Sequence, residues 1–331
     1  MGAADLAPFL AHGGRVAAAR AHFGGADWLD LSTGIAPWPY PVRPEDFAAE
    51  AARLPDPEAL AALEAEAATR FGLGPEAEAE VVAVPGTDLA LRLLPPLLPG
   101  RAPALLWPGY AGHRAAWPDA VRLTALAWRA AGGAHDLLIC ASPSNPGGER
   151  LDPGAAARLC ASSHLMIDHA YADAPGEGLD ALAGPRLTVL RSFGKMFGLP
   201  GLRLGFVLID PPRAARLRHL LGDWPIATPT LAIADRAYRD QAWQAAQRDR
   251  IATAGAALDR LLDRLGLAHR PSPPLFRCLE QVDGAALFRH LAGHAILTRP
   301  FAARADWLRL GLPGDAAALA RLAAALEEYR R

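Results

Sequence analysis

The sequence predicts an α/β protein: a large domain built on a mainly parallel sheet, followed by a smaller C-terminal α+β domain. Three observations lead there. Short apolar runs at Val81–Val84, Ala104–Trp107, Leu137–Cys140 and Leu165–Ile167 alternate with helical stretches, the pattern of parallel strands covered on both faces. Two further runs, Leu187–Leu190 and Leu204–Ile209, flank a glycine-rich turn, and each has the length of a buried strand. Past Ile209 the alternation stops, and proline-rich loops and longer helices take over. The expected layout is an arm over residues 1–40, a large domain over 41–212 and a small domain over 213–331.

The elements follow in order. His12-Gly-Gly-Arg reads on its own as a flexible terminus and leads into a short alanine-rich helix, Val16–His22, which Gly24-Gly25 ends. Pro57 suits a first helical position after Leu54-Pro-Asp. Leu60, Leu63, Ala67 and Phe71 then line one face, with Glu64 and Glu66 expected in water. Pro85-Gly-Thr-Asp opens a leucine-rich helix with Thr87 or Asp88 as cap. This is either an ordinary capped helix or a phosphate-binding N-terminus. A helix is expected over Pro153–Ser162, another from Pro211 to Leu221, and a single long one from about Leu231 to Leu265. Pro271-Ser-Pro-Pro, Leu275–Leu279, Ala295–Thr298 and Trp307–Leu310 suggest a small sheet. Asp315 caps a last helix with Leu319, Leu322, Leu326 and Tyr329 on one face.

The 331 residues suit two domains, and 51% hydrophobic content is enough for a large core. A formal net charge of −1 gives no electrostatic footprint for nucleic acid or membrane. Cys140, Cys160 and Cys278 have no metal-type spacing and read as reduced, so no metal and a cytoplasmic location are expected. No signal peptide and no membrane-spanning run is expected.

In open parallel sheets ligands bind at the carboxyl ends of the strands. The polar residues there are Gly86-Thr87, Tyr110, Asn145, Asp168, Tyr171, Ser192 and Lys195, with Arg203 following. Lys195 alone reads as a loop lysine; the set gives it a different reading. A pyridoxal phosphate enzyme needs a lysine to hold the aldehyde, an aspartate to keep the pyridine nitrogen protonated, and an aromatic ring on the pyridine face. It also needs hydrogen bonds to the phenolic oxygen, and an arginine, a hydroxyl and backbone N–H groups for the phosphate.

Asn145-Pro-Gly-Gly, Asp168-His-Ala-Tyr171, Ser192-Phe-Gly-Lys195 and Arg203-Leu-Gly-Phe resemble the motifs of fold-type I, class I/II aminotransferases, in the same order. Within them the chain is similar to the CobC/CobD-type threonine-phosphate decarboxylases of cobalamin synthesis. The carriers are His12-Gly-Gly, Asp27-Trp-Leu-Asp-Leu-Ser-Thr-Gly-Ile, Val84-Pro-Gly-Thr, Arg191-Ser-Phe-Gly-Lys, Ile296-Leu-Thr-Arg299 and Trp307-Leu-Arg309. The resemblance implies pyridoxal 5'-phosphate, Lys195 and Asp168 as catalytic residues, and Asp88 among the cofactor ligands. It implies a phosphorylated amino-acid substrate and a homodimer. It also implies Arg309 on the substrate carboxylate, and His12, Gly13, Gly34, Asn145 and Arg299 around the substrate. Three positions depart from the wider family: Ala36 for an asparagine, Leu54 for a tyrosine that reaches the neighbouring subunit, and His113 for an aromatic. Decarboxylation and transamination differ by which bond at Cα stands perpendicular to the ring. A histidinol-phosphate-type aminotransferase is therefore the second reading, and a non-catalytic ligand-binding protein the third.

Overall fold

The computed structural model describes residues 3–48, 52–172, 179–270 and 274–330. Contacts divide the chain into two units. One comprises Met1–Trp38, Pro146–Gly148 and Gln247–Arg331; the other comprises Pro39–Asn145 and Glu149–Ala246. The division thus falls after Ala246, not after the expected residue 212, and the arm belongs with the C-terminal segment.

The arm holds helix α1 (Val16–Phe23), closed by the Gly24 N–H on the Arg20 carbonyl, and the two-residue strand β1 (Leu29–Asp30). The larger unit begins with α2 (Glu45–Ala48) and α3 (Pro57–Arg70). Asp56 caps α3 by accepting from the Glu58 N–H at 3.0 Å, and Pro57 starts it. Leu63, Ala67 and Phe71 are buried, as the apolar spacing requires. Glu64 is a correction: it accepts from the Ala83 N–H at 2.8 Å and from Arg218 at 3.0 Å instead of facing water.

The sheet then builds up from β2 (Glu80–Val84), α4 (Thr87–Leu93), β3 (Pro103–Leu106), α5 (Ala111–Ala116) and β4 (Val121–Leu123). It continues with α6 (Ala125–Arg129), β5 (Leu137–Ala141), α7 (Pro153–Cys160), β6 (His164–Asp168), β7 (Leu187–Ser192) and β8 (Gly205–Ile209). The order is β2-β8-β7-β6-β5-β3-β4. β8 runs antiparallel to both neighbours, and every other pairing is parallel. β5, β6 and β8 are buried along their whole length, which is why they read as continuous apolar runs. The edge strand β4 gave no such run, because Val121 and Arg122 are exposed. α8 (Pro211–Leu221) and α9 (Thr228–Arg239) complete this unit.

The single long helix expected from Leu231 is two. Asp240 leaves helical geometry (φ −81°, ψ 74°) and caps α10 (Gln241–Arg264) by accepting from the Trp243 N–H at 2.9 Å. In the smaller unit follow β9 (His269–Arg270), β10 (Phe276–Leu279), α11 (Gly284–Gly293), β11 (Ile296–Leu297), β12 (Arg299–Phe301), β13 (Arg304–Gly311) and α12 (Ala316–Tyr329). The small sheet runs β12-β13-β10-β9. Ala295–Thr298, expected in it, lies elsewhere: β11 pairs in parallel with β1 of the arm. Pro271-Ser-Pro falls outside the described residues. Asp315 caps α12 through the Ala318 N–H at 2.7 Å. No described helix is long and apolar enough to cross a membrane.

One buried group links this packing to pH. His164 begins β6, 5% exposed, with Nε2 3.0 Å from Thr188 Oγ1. Burial first, then the positive charge of Arg213, lowers its pKa from 6.5 to about 4. The folded state therefore prefers the neutral ring. Its contribution is fully present above pH ~6.5 and is lost as pH falls toward about 4, up to roughly 3 kcal/mol. His164→Asn should flatten the fall in unfolding free energy between pH 7 and pH 4.5, measured by urea denaturation. An unchanged slope would remove His164 from the account.

Candidate active site

The parallel strands deliver their polar residues to one edge of the sheet. Asp168 ends β6, Ser192 ends β7, Asn145 follows β5 by four residues, and Tyr110 follows β3 by four. Asp168 is 7% exposed. Its Oδ1 accepts from the Ala170 N–H at 3.1 Å, and its Oδ2 lies 3.2 Å from His113 Nε2. His113, noted in the sequence only as a departure, is thus the side-chain partner of the key carboxylate. Tyr171 is buried, and the Lys195 ammonium sits 5.4 Å from its ring centroid. Beside Asp168, His169 Nδ1 lies 2.8 Å from Asp180 Oδ1, and Arg191 lies 3.2 Å from Asp180 Oδ2. Burial raises the Asp180 pKa, but Arg191 and His169 outweigh it and the net shift is downward. This pinning of the turn between Asp168 and Tyr171 was missed from sequence. The only signal was a histidine inside the motif.

A cavity of about 160 Å³ has Gly86, Thr87, Asp88, Tyr110, Ser192, Lys195 and Arg203 among its lining residues. The expected caps of α4 are a correction: the N-cap is Gly86, with no side-chain cap bond. The cap thus offers no side-chain oxygen to the first N–H groups of α4, and Thr87 and Asp88, which begin that helix, line the cavity. Gly86 has φ +85°, and a Cβ there would come within 2.5 Å of Arg203 Nη2. Only glycine lets the guanidinium lie this close to the helix start. Arg203 itself sits in the left-handed region (φ 50°) and donates from Nη1 to the Pro200 carbonyl at 3.1 Å. An amine, a hydroxyl, a guanidinium and helix N–H groups around one cavity fit an aldehyde carrying a phosphate. Tyr110 donates its hydroxyl to Asp88 Oδ1 at 3.1 Å. Burial, then the charges of Asp88 and Asp168, pushes the Tyr110 pKa up and keeps it a phenol.

The remaining predicted residues lie in the smaller unit. Arg309 on β13 is 5% exposed and donates from Nη2 to the Ser32 carbonyl at 2.7 Å. Ser32 Oγ accepts from the Gly14 N–H at 2.7 Å. Arg299 on β12 donates to the carbonyls of Phe9 and Ala11, the latter at 2.8 Å. Its guanidinium thus engages the backbone of the arm just before His12. His12 is exposed, and Gly34 and Ala36 are buried. Ser32, which joins the arm to Arg309, was missed, although it stands inside the quoted Leu-Ser-Thr-Gly stretch.

Residues 46–326 match aminotransferase class I and II. The chain belongs to that family. Among curated relatives, the threonine-phosphate decarboxylase of Pseudomonas aeruginosa is 41% identical, with 97% of this chain and 98% of the relative covered. The threonine-phosphate decarboxylase of a Sinorhizobium species is 36% identical, over 96% and 97%. The crystal structure of histidinol-phosphate aminotransferase from Sinorhizobium meliloti, in complex with pyridoxal-5'-phosphate, superposes with a TM-score of 0.80 at 22% identity. It covers 94% of this aminotransferase-family chain and 93% of that one, a likeness of fold.

Asp168→Ala should weaken pyridoxal phosphate binding at least tenfold while the far-UV circular dichroism stays that of the parent. His113→Ala should lie between the two. Titration of the apoprotein reads both, and parental affinity in Asp168→Ala would refute the role assigned to the carboxylate.

Proposed function

We propose that the chain decarboxylates L-threonine O-3-phosphate to (R)-1-aminopropan-2-yl phosphate and carbon dioxide in cobalamin biosynthesis. The carrying observation is near full-length similarity to two threonine-phosphate decarboxylases, at 41% and 36% identity. The motif lysine, aspartate and arginine all stand in this chain as Lys195, Asp168 and Arg203. The cofactor is pyridoxal 5'-phosphate, which when bound supplies the electron sink for the pair released as a bond at Cα breaks.

The residues divide the work. Lys195 holds the aldehyde carbon, gives way to the substrate amine and is then available to return a proton to Cα. Asp168, fixed by His113 and the Ala170 N–H, keeps a proton on the ring nitrogen. Asn145 and Tyr171 take the phenolic oxygen. Ser192, Arg203 and the N–H groups at Gly86, Thr87 and Asp88 take the phosphate. Arg309, anchored on Ser32, forks onto the substrate carboxylate. Arg299 serves the substrate phosphate through the arm whose carbonyls it holds, with His12, Gly13 and Gly34 nearest the ligand.

The working form is a cytoplasmic homodimer. Phe47, Leu54 and Trp224 are 46%, 69% and 53% exposed, apolar surface that a second copy would cover. Leu54 then meets its neighbour through apolar contact where the wider family uses a tyrosine.

Incubation with L-threonine phosphate should release carbon dioxide and aminopropanol phosphate. kcat/KM for it should exceed that for histidinol phosphate with a keto-acid acceptor; the reverse preference would leave only the family assignment. Arg309→Ala should lower kcat/KM about a hundredfold, as expected for a lost charge-assisted contact of about 2–3 kcal/mol. Removing residues 1–14 should cost a similar factor with pyridoxal phosphate affinity little changed. Lys195→Ala should leave no protein–cofactor bond for borohydride to trap.

A further inference from the structure

Tyr110 is held in place from three sides. Its hydroxyl donates to Asp88 in the first turn of α4 at 3.1 Å. Its ring meets His113 edge-on, with centroids 5.5 Å apart and planes at 86°. The ring also lies across the start of α5, directly over Gly112. A Cβ built at Gly112 would overlap three carbons of the Tyr110 ring, so a side chain there must push the ring away. Gly112 is the second residue of α5. The phenol fills the space that glycine leaves.

We propose that Gly112 and Asp88 are positioning residues that set the Tyr110 ring as a ready-made wall of the cofactor cavity. This rests on the cavity taking pyridoxal phosphate. Asp88 has a competing role. It is half-exposed, lies 3.8 Å from Arg92 and stands in the first turn of α4, so it could act only as a helix-end charge. The two roles differ in sign. A carboxylate beside a phosphate dianion opposes binding, so removing a mere helix-end charge should tighten the cofactor. Removing the anchor of an aromatic wall should loosen it. The role through Tyr110 further requires that the effect disappear once the hydroxyl is gone.

The test is a double-mutant cycle on pyridoxal phosphate dissociation constants, measured by titrating apoprotein and following the visible absorbance band and tryptophan fluorescence. Asp88→Ala should weaken binding about tenfold in the parent, and should have no weakening effect in the Tyr110→Phe background. Tightening by Asp88→Ala in the parent, or equal weakening in both backgrounds, would overturn the inference. Gly112→Ala supplies an independent arm. The added methyl displaces the Tyr110 ring, so cofactor affinity should fall about tenfold while the far-UV circular dichroism of the apoprotein stays that of the parent. Parental affinity in Gly112→Ala would also overturn the inference. If Gly112→Ala does not fold, the Asp88 and Tyr110 cycle still decides. A parent that binds no pyridoxal phosphate would overturn the cofactor assignment and this inference together; a binding parent with zero coupling would overturn this inference alone.

Discussion

The constraint on which the larger unit turns is a carboxylate held out of water. Asp168 ends a fully buried strand and is 7% exposed. A lone carboxylate in that place would be costly unless hydrogen-bonded and paired. Two contacts meet the need: the Ala170 N–H on one oxygen and His113 on the other. Each has a structural consequence. The Ala170 contact curls the chain after β6 into the turn that carries Tyr171. The His113 contact ties α5, and with it Tyr110, to the same point. Cys140 on the neighbouring strand answers to the same charge: burial first, then Asp168, pushes its thiol pKa up and leaves it an inert apolar filler. Both carboxylate oxygens are thereby held in one orientation by the protein's own groups.

Much of this was legible because parallel strands advertise themselves. A strand buried on both faces is mostly apolar, so Leu137–Cys140, Leu165–Ile167, Leu187–Leu190 and Leu204–Ile209 stood out. The polar residue just past each had to be a turn or a ligand. Other features depend on partners that a local pattern does not contain. Glu64 looked solvent-facing on helical spacing, yet β2 brings the Ala83 N–H and α8 brings Arg218 to it. Asp240 has no proline or glycine beside it, and only its cap to Trp243 marks the break between α9 and α10. β11 was placed in the small sheet because its residues are apolar, but its hydrogen-bond partner is a two-residue strand more than 260 positions earlier. Gly86 was overlooked as a cap because caps are usually read from side-chain oxygens, and here the absence of a side chain is the point.

The arginines of the smaller unit hold the arm. Arginine was expected to face anions. Arg299 and Arg309 both donate to backbone carbonyls, of Phe9 and Ala11 and of Ser32. A guanidinium has five donors in a rigid fork, so anchoring some of them orients the others. The arm is thereby fixed at Phe9, Ala11 and Gly14 by contacts that belong to the protein alone. Ordering it does not have to be repeated with each substrate.

Beneath Lys195 the same logic operates through aromatic packing. Phe193 and Phe197 stack 4.4 Å apart at 6°, and Phe197 stacks on Trp243 5.5 Å away at 9°. The Arg70 guanidinium lies over both Phe197 and Tyr238, and the same group donates to Gln244 Oε1 and Met196 Sδ. Phe193, Met196 and Phe197 bracket Lys195 in sequence, and all three are about 1% exposed. The lysine is therefore the half-buried crest of a loop whose flanking side chains are core. Lysine on a mobile surface loop would lose several rotatable bonds on joining a cofactor. Here the flanking side chains are buried, so the backbone under the lysine is already fixed and only its side chain is left to move.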